Sequence, residues 1–338
     1  MNIIVDAYGG DNAPLEILKG ACRARDELGI TVTLTGRESG IRACAQENGL
    51  SLNEMTILDA PDVIAMEENP MEFRRSKSNS SMAVGLRALA EGKGDAFVSA
   101  GSTGALVVGS TFIVKRIKGV RRAAIASIMP SDTTPFLMLD CGANAECKPE
   151  ALVQFAVMGD LYMKHVMGLE RPRVALANIG TEETKGGELQ QQAYRALAQC
   201  GLFRFTGNIE ARSIPYGGAD VVVADGFTGN MLLKMYEGAA AAMMKNIKQI
   251  FTKNIKTKLG FLMVKGGLVD FKKKMDYTEF GGAPLLGIAR PVIKAHGSSK
   301  EKGFFSAIRQ AVRTVEKDVC GEIARNMPRM SEEEKEEA

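Results

Sequence analysis

The sequence predicts a three-layer α/β fold built on a mixed, largely parallel sheet. Three observations lead there. Short apolar strands alternate with amphipathic helical segments along the chain. Glycine is abundant, at 36 residues, while tryptophan is absent and aromatics make up only 6%. Strand ends also run directly into turns rich in Gly, Asn, Ser and Thr, which then open helices.

Taken in order, IIVD (3–6) reads as the first strand, and Pro14 after Asn12 is placed to open a helix through Leu28. TVTLT (31–35) and a helix near 38–48 follow. SNSS (78–81) should cap a helix to Glu91, and DAFVSA (95–100) reads as a buried strand. Further strands are expected at 123–129, 135–140, 173–178, 203–206 and 220–225. Helices are expected near 103–116, 149–167, 187–200 and 229–250. There is no low-complexity linker and no solenoid repeat, so residues 1–330 are expected to form one domain of two interlocked subdomains. The last eight residues, SEEEKEEA (331–338), read as a disordered acidic tail.

Composition excludes several classes. With 338 residues, 45% hydrophobic and 25% charged, the chain is an ordinary folded globular protein. No apolar run approaches the roughly 20 residues of a membrane span. The start, MNIIVDAYGGD, lacks the pattern of a signal peptide, so a cytoplasmic location is expected. Six cysteines form no Cys-x-x-Cys pair and there are only two histidines, His165 and His296, so no metal site and no cofactor is expected. The Walker phosphate loop and the Gly-x-Gly-x-x-Gly fingerprint of dinucleotide sites are both missing.

Five turns repeat one design: VDAYGGD (5–11), VSAGSTG (98–104), MLDCGAN (138–144), LANIGTEETKG (176–186) and VVADGFTGN (222–230). On one edge of a parallel sheet they would combine close backbone approach with free N–H groups, which suits an anion, most simply phosphate. Each turn alone is also what an ordinary strand-to-helix connection looks like. The stretch 245–274 is different: it carries nine lysines and one acidic residue, Asp270, among recurring apolar residues. It reads either as a core or dimer-interface helix with a solvated lysine face, or as a contact with an anionic membrane surface. Nucleic acid ranks low, because no binding motif accompanies the charge.

The strings DAYGGDNAP (6–14), SAGSTGAL (99–106), LDCGANAECKPE (139–150), NIGTEETKG (178–186), GNIEARS (207–213), DVVVADGFTGN (220–230), FGGAPLLG (280–287) and KAHGSS (294–299) closely resemble the bacterial PlsX-type phosphate acyltransferases over residues 1–320. The resemblance implies an enzyme that moves an acyl group from acyl-acyl carrier protein to inorganic phosphate, feeding phospholipid synthesis. It implies the fold of isocitrate and isopropylmalate dehydrogenases and of phosphotransacetylases. It also implies a homodimer, attached peripherally to the cytoplasmic membrane face, that serves a glycerol-3-phosphate acyltransferase downstream. The sequence departs from the family at Tyr8, Ser102, Ala211 and Ser213, where Met, Asn, Gly and Asp are usual.

A thioester is already activated, so no side-chain nucleophile is needed, and no Gly-x-Ser-x-Gly elbow is present. Positioning and oxyanion stabilisation carry the expected chemistry. Lys185 and Asn230 are the expected catalytic residues, with a solvated loop lysine and a helix cap as their plain alternatives. Gly101, Ser102, Thr103, Gly104 and Asn144 are candidates for holding phosphate. His296 is a candidate for protonating the leaving thiolate or touching the carrier's phosphopantetheine. Asp6, Asp11, Asp140 and Asp225 are expected to be structural rather than catalytic. Phe261, Leu262, Val264 and Leu268 are the expected membrane contacts. A coenzyme A-dependent acyltransferase and a non-catalytic membrane scaffold are the competing functions.

Overall fold

A computed structural model describes residues 1–65, 67–70, 77–274 and 281–327, with the side chains of 272 and 273 left aside. The expected acidic tail lies outside them. The strands are β1 (Asn2–Asp6), β2 (Thr31–Gly36), β3 (Met55–Asp59), β4 (Ala96–Ser99), β5 (Ala124–Met129), β6 (Phe136–Leu139), β7 (Arg173–Asn178), β8 (Arg204–Glu210), β9 (Val221–Val223), β10 (Ala283–Leu286) and β11 (Val292–Lys294). They form one sheet in the order β3-β2-β1-β4-β11-β10-β5-β6-β9-β7-β8.

Its direction changes at the centre. β1, β2, β3, β4 and β11 are mutually parallel, and β10 is antiparallel to both β11 and β5. β5 is antiparallel to β6, with which β9, β7 and β8 run parallel. The two halves therefore point opposite ways. This corrects the expectation that all five glycine turns sit on one sheet edge: those after β1 and β4 leave one edge, and those after β6, β7 and β9 leave the other. The three successive antiparallel contacts, β11 with β10, β10 with β5 and β5 with β6, are the cause, an odd number of reversals that strand periodicity cannot show.

Alternation along the strands divides the core. Ile3, Val5, Leu34, Val98 and Ile293 pack with Phe304 and Ile308 of the Glu301–Glu316 helix on one face. That helix lies close against Leu15–Leu28, because at Gly20 a Cβ would come within 3.0 Å of the Glu301 carbonyl. On the second half, Leu137, Leu139, Val221 and Val223 pack under the Pro149–His165 helix. A third cluster joins the halves, bringing Ile4 and Phe97 together with Ile125, Phe136, Met138 and Val222.

Ser80 caps the Ser81–Ala90 helix, its side chain accepting from the Ala83 amide at 3.3 Å. The helix expected over 103–116 is α-helical only through Gly109 and continues as a π-turn over Ser110–Val114. Sequence patterning leaves out β3, β10, β11 and the helices Glu301–Glu316 and Val319–Asn326. The 245–274 stretch is not core: it is the end of the Gly226–Thr252 helix and the Ile255–Lys274 helix, two largely exposed helices packed on each other.

Candidate active site

Buried carboxylates build the site by tying turns together. Asp6, at the end of β1, accepts hydrogen bonds from Ser99 Oγ at 2.7 Å and from the Tyr8 amide at 3.2 Å. Ser99 Oγ in turn accepts from the Gly101 amide at 3.0 Å, which joins the first glycine turn to the one after β4. Only glycine fits at position 9, where a Cβ would stand 2.7 Å from the Gly101 nitrogen. The first turn is also latched to the segment after β11, since the Asp11 amide donates to the Gly297 carbonyl at 2.9 Å.

Asp140 does the same work in the other half. Fully buried, it accepts from the amides of Ile125 (2.9 Å), Ala143 (3.1 Å) and Asn144 (2.7 Å) and from Asn144 Nδ2 (2.9 Å). Burial pushes its carboxyl above the usual range, and these donors pull against that. The Gly226–Thr252 helix begins on this turn. Asp225 caps it by accepting from Thr228 N and Oγ1, and the Gly226 amide donates to the Asn144 carbonyl at 2.7 Å. At Gly229 a Cβ would meet the Asp140 carbonyl oxygen at 2.0 Å, so the helix can seat this closely only with glycine there. The next residue is Asn230, whose Cγ lies 3.4 Å from where a Cβ on Gly142 would stand.

These turns enclose a hollow of about 440 Å³ whose lining includes Thr103, Gly104, Asn230, Lys234, Lys294 and His296. Four of the expected residues thus meet: Thr103, Gly104, Asn230 and His296. Gly101 and Ser102 stand behind the lining, with Ser102 buried as the N-terminal flank of the Thr103–Gly109 helix. Asn144 is outside it. Its amide is spent on Asp140 and on the Ala123 carbonyl (2.7 Å), so it holds the turn that positions Asn230.

Lys185 does not line the hollow within one chain. The Ile179–Gly187 loop folds on itself: Asn178 Nδ2 donates to the Lys185 carbonyl at 3.1 Å, and the half-exposed Lys185 ammonium lies 3.9 Å from Glu182. Of the positions expected to depart from the resemblance, Tyr8 packs into a slot at Gly36 and Gly40 with Arg37 over its ring, and it is not among the residues lining the hollow. Ala211 and Ser213 lie in the Ala211–Tyr216 turn of 3-10 helix. His165 stands 3.8 Å from Glu322 on the far helices.

Two lysines that the sequence reading overlooked supply the hollow's positive charge. Lys294 is the last residue of β11, and burial lowers its ammonium to about 8, with Lys234 pushing the same way and Asp11 and Asp6 opposing. His296 is lowered too, chiefly by burial, so it is predominantly neutral at neutral pH. Its Nδ1 accepts from the Ser298 amide at 3.3 Å, an arrangement that leaves the proton on Nε2. Cys141 lines the hollow as well, but burial pushes its thiol up to about 12, far from a reactive thiolate. Among the described residues no group of three or more His, Cys, Asp or Glu is placed to hold a metal ion. The signal for Lys294 was available: it opens the KAHGSS string, at the end of a strand too short to recognise.

The outer part of the helix pair is apolar and uncovered. Phe261 and Leu268 line a groove of about 750 Å³ between the two helices, and Phe261 meets Phe251 at 5.7 Å between ring centroids. Leu262 and Val264 are exposed, as are Ile250, Ile255, Leu259 and Met263. No helix among the described residues is long and apolar enough to cross a membrane.

The mixed sheet with its central reversal, and the helices packed on it, define an α/β fold of the kind found in phosphotransacetylases. A phosphotransacetylase from Streptococcus pyogenes superposes with a TM-score of 0.65 at 16% identity, covering 93% of this chain and 94% of that one. At that identity the likeness is one of fold. A family model described as "Fatty acid synthesis protein" matches residues 1–322, and the chain belongs to that family. It is 47% identical over 328 residues to a phosphate acyltransferase from Thermoanaerobacterium thermosaccharolyticum, covering 97% of each chain. It is 45% identical over 332 residues to one from Clostridium acetobutylicum, covering 98% of this chain and all of that one.

Proposed function

We propose that the protein transfers a fatty acyl group from acyl-acyl carrier protein to inorganic phosphate, yielding acyl phosphate for phospholipid synthesis. The observation that carries this reading is the hollow itself: amide, hydroxyl and cationic groups converge on a space with no activated nucleophile. Such a site suits a reaction in which the attacking group arrives with the substrates.

In the proposed reaction an oxygen of hydrogen phosphate bonds to the thioester carbon, and the carbonyl electron pair moves onto oxygen. The Asn230 amide donates to that oxyanion, a contact worth roughly 3–4 kcal/mol in comparable sites. Thr103 offers its hydroxyl to phosphate where the chain passes Gly104. Collapse breaks the carbon–sulfur bond, and the proton carried in by hydrogen phosphate ends on the carrier's sulfur. His296, with its proton on Nε2, donates a hydrogen bond to the departing sulfur. Lys185 is assigned to approach rather than contact, as part of the field that draws phosphate and the acidic carrier toward the site.

We further infer that the enzyme acts at the cytoplasmic membrane face, where a glycerol-3-phosphate acyltransferase consumes the product. The exposed Leu262 and Val264, with the neighbouring Phe261 and Leu268 and the surrounding lysines, are the proposed lipid contacts. A second copy of the chain is expected to cover Met231 and Met235, exposed near the start of the Gly226–Thr252 helix.

The test is donor consumption by the full chain with and without phosphate. Phosphate-dependent loss of acyl-acyl carrier protein, with a hydroxylamine-reactive product, is expected. A strong preference for acyl-coenzyme A would replace the donor. No turnover with either donor, with lipid binding retained, would leave the scaffold reading.

A further inference from the structure

We propose that Lys294, and not the loop lysine at position 185, is the cation that binds phosphate in the hollow. The proposal deepens the acyl-transfer reading and rests on it for the identity of the anion. Lys294 ends β11 beside Ser99 of β4, and the Ala295 amide donates to the Ser99 carbonyl at 2.9 Å, so its backbone is held by the sheet. Its Nζ donates to the Ala100 carbonyl at 3.2 Å and to the Ala295 carbonyl. An ammonium has three N–H groups, so one remains for the hollow that Lys294 lines.

The charge itself is the second observation. Among the described residues no carboxylate forms an ion pair with Lys294. Asp6 is spent on Ser99 and Tyr8, and Asp11 acts on Lys294 only at a distance. Facing it from the Gly226–Thr252 helix are Lys234, of the same sign, and Glu237, which pairs with Lys234 at 3.7 Å. His296, on its own segment, is largely neutral. A half-buried ammonium answered only by carbonyls is costly to maintain, and a dianion in the hollow supplies the missing partner. Lys185, half exposed beside Glu182, has no such need. Burial also holds the Lys294 ammonium near 8, so its charge is full below that pH and is lost as the pH rises through it.

The experiment compares the full chain with Lys294→Met and Lys294→Arg, measuring phosphate KM, donor KM, and phosphate binding without donor by ³¹P line broadening. Lys294→Met is expected to weaken phosphate binding and raise phosphate KM by about 10- to 100-fold, the loss of one charge-assisted contact, with donor KM within about twofold. In the unmodified chain, phosphate KM should climb above about pH 8. Lys294→Arg should move that climb to higher pH, because guanidinium stays charged. A folded Lys294→Met chain that binds phosphate normally would overturn the proposal. So would an unmoved alkaline limb in Lys294→Arg, which remains decisive where the Met variant fails to fold. Phosphate binding that depends on Lys294 without acyl phosphate from any donor would uphold the lysine's role and sink the acyl-transfer reading.

Discussion

The hollow and the outer helix pair are built on opposite terms, yet one helix runs through both. Gly226–Thr252 has 27 residues, about 40 Å at 1.5 Å per residue. Its first turn is pressed onto the backbone of Asp140 and Asn144, where bonds and glycines leave Asn230 little freedom. Its last turns expose Ile250 and abut Ile255, which is 76% exposed. At one end the Asp140 and Asp225 carboxylates hold the turns through named hydrogen bonds, which suits chemistry that depends on preorganised donors. At the other, apolar surface waits for something to cover it.

The contrast can be broken hardest at Asp140. Asp140→Ala strips the acceptor from three amides and one side-chain donor, and should cost about 3 kcal/mol or more of stability in urea denaturation. Asn230→Ala removes a donor rather than a support. It should lower kcat by about 10²-fold while the melting temperature stays unchanged. At the far end, Leu262→Glu should reduce sedimentation with anionic vesicles by about tenfold and alter stability by less than about 0.5 kcal/mol. A loss of several kcal/mol there would mean that the helix pair is core after all. The smallest effect belongs to Lys185→Ala: a rise in phosphate KM of about two- to threefold that fades at high salt, as steering does. A salt-insensitive rise matching that of Lys294→Met would put Lys185 in contact with phosphate.

Much of the frame was legible because it is local. Strands such as β1 and β7 are apolar runs, Ser80 and Pro14 mark helix starts, and the glycine turns mark where backbone must approach backbone. What stayed hidden depends on distant partners. β10 and β11 have four and three residues, too few for a period, and β10 contains Pro284. Without them the reversal at β5 is invisible, and so is the end of β11 on which Lys294 sits. Asn230 could be picked out because its turn is distinctive. Lys294 carried a signal as the first residue of the KAHGSS string, but lysines are ordinarily exposed, and its half-buried place beside Ser99 depends on the distant strand β4. Asn144 was legible as a turn residue, but the bonds that occupy its amide come from Asp140 and Ala123.

The most direct test is a crystal soaked in arsenate, a phosphate mimic with its own anomalous signal. A peak within hydrogen-bonding reach of Thr103, Asn230 and Lys294 is the expected result. An arsenate held by Lys185 in the 179–187 loop, with the hollow between Asn230 and Lys294 empty, would contradict it.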